Sequence, residues 1–255
     1  MKRRMHRLLA QDGRILIVAM DHTAFMDAPV DGLIRYGETV ETVAGAGADA
    51  FLSPIGSLVN HADRFGPRAV IASVDTTGPA LDVAVERALA AGADAVKCMI
   101  YPFSGDDSVP RAQRLAADAA RYGLPFLGEP IPGGFSRNDM RGPEVIAAGA
   151  RIAAESGADF VKTFYTGDPE TMRLVVEYAS VPVVILGGGK KDTLRELYQE
   201  VYDAVVVAGC AGVAIGNNIW RAEDPAAVTR GLAAIVHGGV SVDEALELAG
   251  ALVPA

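Results

Sequence analysis

Eight short apolar runs recur along this chain, separated by longer Ala-rich segments. They are RILIVAM (14–20), DAFLS (49–53), AVIASV (69–74), DAVKCMI (94–100), PFLGEP (125–130), DFVKTF (159–164), PVVIL (182–186) and GVAIG (212–216). Runs of this length, bounded by turn residues and lacking a polar alternate face, read as strands buried on both sides. The segments between them, such as PALDVAVERALAAG (79–92) and PEVIAAGARIAAESG (143–157), read as helices. Strands alternating with helices in this way imply a parallel sheet covered by helices.

An internal echo supports the count. AGAGADAF, AAGADAVK, ESGADFVK and AGCAGVAI each end a helix in Gly and begin a strand. Gly suits the left-handed turn at a helix C-terminus. Eight such units close an α/β barrel of the TIM (β/α)8 type, with eight parallel strands. The 255 residues, half of them hydrophobic, fit one such domain over 1–255. An open doubly wound sheet is the alternative, but it normally brings a Gly-rich turn after its first strand. Here VAMDHTAF follows, with no glycine.

The net charge of −9 comes without any block of Lys and Arg, which argues against nucleic acid or an anionic membrane as partner. An anionic substrate would need a local positive site. The basic start MKRRMHRLLAQDG lacks the long apolar core of a secretory signal. No run of about 18 apolar residues suggests a membrane span. Cys98 and Cys210 lie in strand-like runs and read as buried thiols of a reducing cytoplasm. A symmetric homo-oligomer is expected, of a size the sequence leaves open.

In a barrel of this kind, chemistry gathers at the C-terminal ends of the strands. Polar residues expected there are Asp21 and His22 after the first strand, Lys97 and Tyr101 at the fourth, Glu129 at the fifth and Lys162 at the sixth. Ser53 and Asp75, after the second and third, carry less information. Lys97 and Lys162 stand at the same offset from a Gly-Ala-Asp, so both should point inward at similar height. Each could simply neutralise Asp21 or Glu129. Two buried lysines facing two carboxylates are costly for stability alone, however, and a functional site tolerates that cost. A desolvated lysine beside another cation loses its proton more readily, and its amine can attack a carbonyl to form an imine. Asp21, Glu129 or Tyr101 would then move protons.

No metal or cofactor is expected. There are four histidines, and His6, His61 and His237 fall outside the strand-end set. The loops LGGGKKDT and GNNIW, after the seventh and eighth strands, offer an anion site made of Gly187, Gly188, Gly189, Gly216, Asn217 and Asn218, with Lys190 or Lys191 as countercharge. A flexible turn with solvated lysines is the plainer reading of GGGK. Trp220 could line this site or pack at the barrel end. The Asp residues of the Gly-Ala-Asp copies, Asp49, Asp94 and Asp159, sit at strand starts, on the face that serves stability.

These motifs resemble the bacterial and archaeal class I fructose-bisphosphate aldolases over nearly the whole chain. VAMDHTAF resembles their Asp-His-Gly opening, and FVKTFYTGD is similar to their Schiff-base strand. VVILGGGK, GVAIGNNIWRAEDP and IVHGGVSVDEAL look like their phosphate loops and C-terminal helix. The resemblance implies that Lys162 is the Schiff-base lysine, that Asp21 and Tyr101 handle protons, and that the substrate is a phosphorylated sugar. Two departures stand out. Asn217 occupies a position where arginine is frequent, and LGEPIPGG replaces a Tyr-Pro-Arg-Gly type of strand end. With Lys97 and Glu129, the set looks more like tagatose-bisphosphate and sulfosugar-phosphate aldolases of the same superfamily. That superfamily also includes amino-dideoxy-heptulosonate synthases and an autoinducer thiolase. Outside enzymology, a barrel that only binds a metabolite is the remaining alternative.

Overall fold

The computed structural model describes residues 2–22, 29–75 and 83–250. Eight parallel strands close into a barrel in chain order. They are β1 (Ile15–Ala19), β2 (Ala50–Pro54), β3 (Ala69–Ser73), β4 (Ala95–Ile100), β5 (Phe126–Pro130), β6 (Phe160–Thr163), β7 (Val183–Leu186) and β8 (Gly212–Ile215). Each end lies within one residue of its expected place. β1 closes the ring by pairing Ile15 with Gly212 and Ile17 with Ala214. The helix expected over 143–157 runs from Pro143 to Glu155. Of that expected over 79–92, Ala84–Ala90 is helical, and 79–82 lie outside the described residues.

The period of two along each strand divides the core. Ile15, Ile17, Ala19, Leu52, Ile71, Ala95, Leu127, Phe160, Val184 and Ala214 form the barrel interior, joined by Met5 and Leu8 from the helix Met5–Leu8. Their neighbours, including Leu16, Val18, Val70, Val96, Phe126, Val161 and Val213, pack with the surrounding helices. The polar residues of interest continue the inward set. Asp21 is two residues past Ala19, Lys97 two past Ala95, Glu129 two past Leu127 and Lys162 two past Phe160. Parity therefore aims all four at the barrel axis.

The Gly-Ala-Asp echo has a structural cause. Gly47, Gly92 and Gly157 adopt φ of +111°, +84° and +104°, which L residues rarely adopt. The Asp that follows each accepts the N–H of a residue in or opening the preceding odd-numbered strand. Asp49 takes Leu16 N at 2.6 Å, Asp94 takes Val70 N at 3.0 Å and Asp159 takes Phe126 N at 2.8 Å. Each also meets a cation: His237 at 2.9 Å, Arg7 at 3.0 Å and Lys2 at 2.8 Å. The basic N-terminal segment thus ties itself to the strand-start end of the barrel while Met5 and Leu8 fill it.

His237 lies between Asp49 and Asp12, 2.9 and 2.8 Å away. The hydrogen bond to Asp49 raises its pKa, burial opposes this, and Asp12 adds to the rise, which reaches about 9 from 6.5. A raised folded-state pKa stabilises below the unfolded value, and that stability is lost as pH rises through the folded one. Discounting for its partial exposure, we expect His237→Ala to cost about 1–2 kcal/mol near pH 6. The melting-temperature difference from wild type should fade as pH passes 9, as thermal melts across that range would read. Among the described residues, no helix is long and apolar enough to cross a membrane.

Candidate active site

Glu129 lies between the two lysines at the carboxyl ends of the strands. Its Oε1 is 2.6 Å from Lys162 Nζ and its Oε2 is 2.8 Å from Lys97 Nζ. Lys97 also meets Asp75 at 2.6 Å and Asp21 at 3.2 Å. Ser73 Oγ sits between Asp21 (2.9 Å) and Asp75 (2.7 Å). Lys97, Lys162, Glu129 and Asp21 are all buried. Two ammonium groups therefore face three carboxylates.

The two lysines differ despite their shared offset. Burial works against charge on Lys97, but Asp75, Glu129 and Asp21 outweigh it and hold its pKa well above the usual value. Lys97 is a fixed cation. Three carboxylates already meet its charge. The group in contact with Lys162 is Glu129. Burial would raise the carboxyls, but the lysines reverse this. Lys162 and then Lys97 hold Glu129 low, while Lys97 and then Lys162 hold Asp21 at about 2.

Asp75 belongs to the cluster although the sequence marked it as less informative. Besides Lys97 it accepts the Met99 N–H. Tyr101 is more peripheral than expected. Its phenol donates to Met99 Sδ at 3.6 Å and its ring meets Phe135 edge-on. Burial and then Asp75 raise its pKa, so it stays protonated.

Two chambers meet at Lys162. One, of about 500 Å3, is lined by Asp21, His22, Lys97, Met99, Glu129, Phe135 and Lys162. The other, of about 270 Å3, shares His22, Glu129, Phe135 and Lys162. It adds Arg141 and Phe164, together with Gly187, Gly188, Gly216 and Asn217 from the glycine loops. A Cβ at Gly216 would stand 2.1 Å from Ala19 O and 2.8 Å from His22 Cε1, so only glycine lets this loop close over the site. His22 packs edge-on against Trp220, whose Nε1 donates to Ala19 O at 3.0 Å. Burial lowers the pKa of His22, Asp21 opposes and Lys162 adds to the lowering, leaving a neutral imidazole. Trp220 therefore supports the barrel mouth from within the core.

The second loop set divides differently from expectation. Asn218 is buried, and its amide is committed to the protein. Its Nδ2 donates to Gly187 O (3.1 Å) and Gly189 O (3.0 Å), and its Oδ1 accepts from Lys191 N (2.7 Å). Its side chain staples one loop to the other, so the amide group itself is not free to meet an anion. Lys190 is exposed and lines a separate surface hollow, while the Lys191 ammonium pairs with Glu200. Neither lysine lines the chamber. Arg141 does, and the sequence reading did not single it out.

This geometry suits a lysine nucleophile with a carboxylate in reach of its proton. Residues 15–222 match the family described as DeoC/LacD family aldolase. The chain belongs to that family and is an aldolase. It is 33% identical over 256 residues to the fructose-bisphosphate aldolase class 1 of Thermoproteus tenax, covering 95% of this chain and 97% of the other. It is also 33% identical over 269 residues to the 2-amino-3,7-dideoxy-D-threo-hept-6-ulosonate synthase of Halobacterium salinarum, covering 99% and 97%. A solved archaeal fructose-1,6-bisphosphate aldolase, with its catalytic lysine covalently bound to a carbinolamine intermediate, superposes with a TM-score of 0.77. That chain is 31% identical, over 92% of this chain and 98% of the other.

Proposed function

We propose that the protein is a class I aldolase that cleaves or forms a phosphorylated ketose through an imine on Lys162, releasing dihydroxyacetone phosphate. The observation that carries this reading is Lys162 itself, buried where two chambers meet and 2.6 Å from Glu129. The lysine-bound intermediate of the archaeal relative supports it.

In this mechanism Lys162 yields a proton to Glu129 and its amine attacks the ketone carbon. Glu129 passes that proton, and the one the nitrogen sheds after attack, to the carbonyl oxygen, which leaves as water, and a protonated imine remains. That imine draws the electrons of the adjacent carbon–carbon bond. The hydroxyl of the departing fragment loses its proton to Asp21 or Glu129, so an aldehyde leaves and an enamine stays on Lys162. Protonation of the enamine and hydrolysis complete the cycle. Lys97 keeps its charge throughout and orients the carboxylates and a substrate oxygen. Tyr101, protonated but turned to Met99, is the least direct of the proposed proton carriers. The glycine loops, with Asn217, receive the phosphate.

Glu129→Gln preserves the shape and removes the base. We expect kcat to fall roughly 10^2- to 10^4-fold, and initial-rate kinetics on a ketose bisphosphate would measure it. The reaction itself is tested by assaying dihydroxyacetone phosphate from a panel of phosphorylated ketoses. If none yields it, the substrate assignment is wrong. The heptulosonate synthase relative favours a second reading, in which the same imine serves a transaldol step. Transfer to an added acceptor without free dihydroxyacetone phosphate would select that reading. A thiolase activity has no such support, and a barrel that only binds a metabolite does not fit an aldolase with this lysine–carboxylate set.

The reading includes a cytoplasmic setting and a symmetric homo-oligomer. The unpaired, buried Cys98 and Cys210 support the first. Exposed apolar side chains such as Leu174 and Tyr178 support the second.

A further inference from the structure

The glycine-loop chamber has a charge problem. A phosphate entering it approaches Glu129, which is held ionised. The lysines expected as countercharge, Lys190 and Lys191, do not line it. Asn217 is neutral, and so is His22 at the chamber wall. Among the described lining residues the cations are Lys162, which is paired with Glu129, and Arg141.

Arg141 has the features of an anion contact held ready. The connection between β5 and β6 carries it back over the site. Its Nη1 donates to Pro132 O (2.5 Å) and more weakly to Met140 O (3.3 Å), and its Nη2 donates to Gly134 O (2.7 Å). Its guanidinium carbon lies 4.5 Å from the centre of the ring of Phe164, the residue just past the strand that carries Lys162. Carbonyls and a ring fix the fork without neutralising it. Three of its five N–H groups are used, and two have no protein acceptor among the described residues. Among the described residues no carboxylate lies within ion-pair distance of it, and nearby Asp139 is engaged by Arg137 at 2.8 and 2.6 Å. Burial accordingly lowers the pKa of Arg141, with Asp139 only partly opposing. A preorganised guanidinium, unpaired with any described carboxylate and lining a small chamber together with Gly187, Gly188 and Gly216, suits an oxyanion.

We propose that Arg141 is the cationic contact for the substrate's phosphate, which it holds against the loops at Gly187–Gly188 and Gly216. The identity of that anion rests on the aldolase reading above. Two measurements separate the two claims. In the first, inorganic phosphate is titrated calorimetrically into wild type, Arg141→Ala and Arg141→Lys. In the second, the same proteins are reduced with borohydride in the presence of dihydroxyacetone phosphate or unphosphorylated dihydroxyacetone. Loss of charge-assisted hydrogen bonds should weaken phosphate binding and half-saturation by dihydroxyacetone phosphate by roughly 10- to 100-fold in Arg141→Ala. Trapping of dihydroxyacetone should be unchanged, and Arg141→Lys should recover part of the loss. Because Arg141 also braces its loop, equal loss with both ketones would reveal a merely structural role and overturn the proposal. Unchanged phosphate binding in Arg141→Ala would overturn it as well. Weakened phosphate binding in that variant, with no ketone adduct in wild type, would uphold the anion contact and sink the aldolase reading.

Discussion

Lys162→Ala should lose turnover by at least about 10^4-fold, as removal of a covalent nucleophile does, and should form no borohydride adduct. The loss should appear in kcat/KM with every ketose tested. Neighbouring groups cannot substitute, because Lys97 is engaged by three carboxylates and stays protonated. The fold should survive. Glu129 keeps Lys97 as partner at 2.8 Å, so the substitution leaves no carboxylate stranded. Circular dichroism unchanged beside a silent assay would establish that pattern. Full activity in this variant would remove the mechanism.

Lys97→Ala should instead be felt first in stability. It takes the shared cation from Asp21, Asp75 and Glu129 and leaves buried carboxylates uncompensated, a loss on the order of 3–5 kcal/mol. The pH dependence distinguishes this from simple loss of packing. In wild type Asp21 has a depressed pKa of about 2. Its contribution is therefore present above the ordinary carboxylate value and fades as pH falls through about 2. Without Lys97, burial raises the carboxyls, so the variant should grow less stable as pH rises from 4 to 8. Denaturant titrations at several pH values would show the crossing trends. Turnover should slow, while the adduct site at Lys162 remains.

Much of this site was readable because parity is a strong constraint. Once a strand is placed to within a residue, the period of two decides which side chains enter the barrel. Asp21, Lys97, Glu129 and Lys162 follow from Ala19, Ala95, Leu127 and Phe160. The Gly-Ala-Asp echo was legible for a different reason, since each copy solves the same turn and the same strand-start hydrogen bond. Asp75 was harder. It lies two residues beyond β3, where inward parity continues but nothing local signals that Lys97 reaches across to it. Arg141 was harder still. It comes twelve residues after Glu129, in an irregular connection whose path is set by carbonyl contacts and by stacking on Phe164. No period carries such information. The lysines of GGGKK misled because a charge beside a glycine loop can fall on either side of it. Here Lys191 is drawn to Glu200 and Asn218 takes up the loop's inner carbonyls.

The central claim is that Lys162, and not its echo Lys97, carries the imine. Its most direct test is peptide mapping by mass spectrometry after borohydride reduction in the presence of dihydroxyacetone phosphate. The mechanism predicts one modified peptide, with the mass increment of the reduced ketose phosphate on Lys162. An increment on Lys97, or no covalent increment under conditions that sustain turnover, would contradict it.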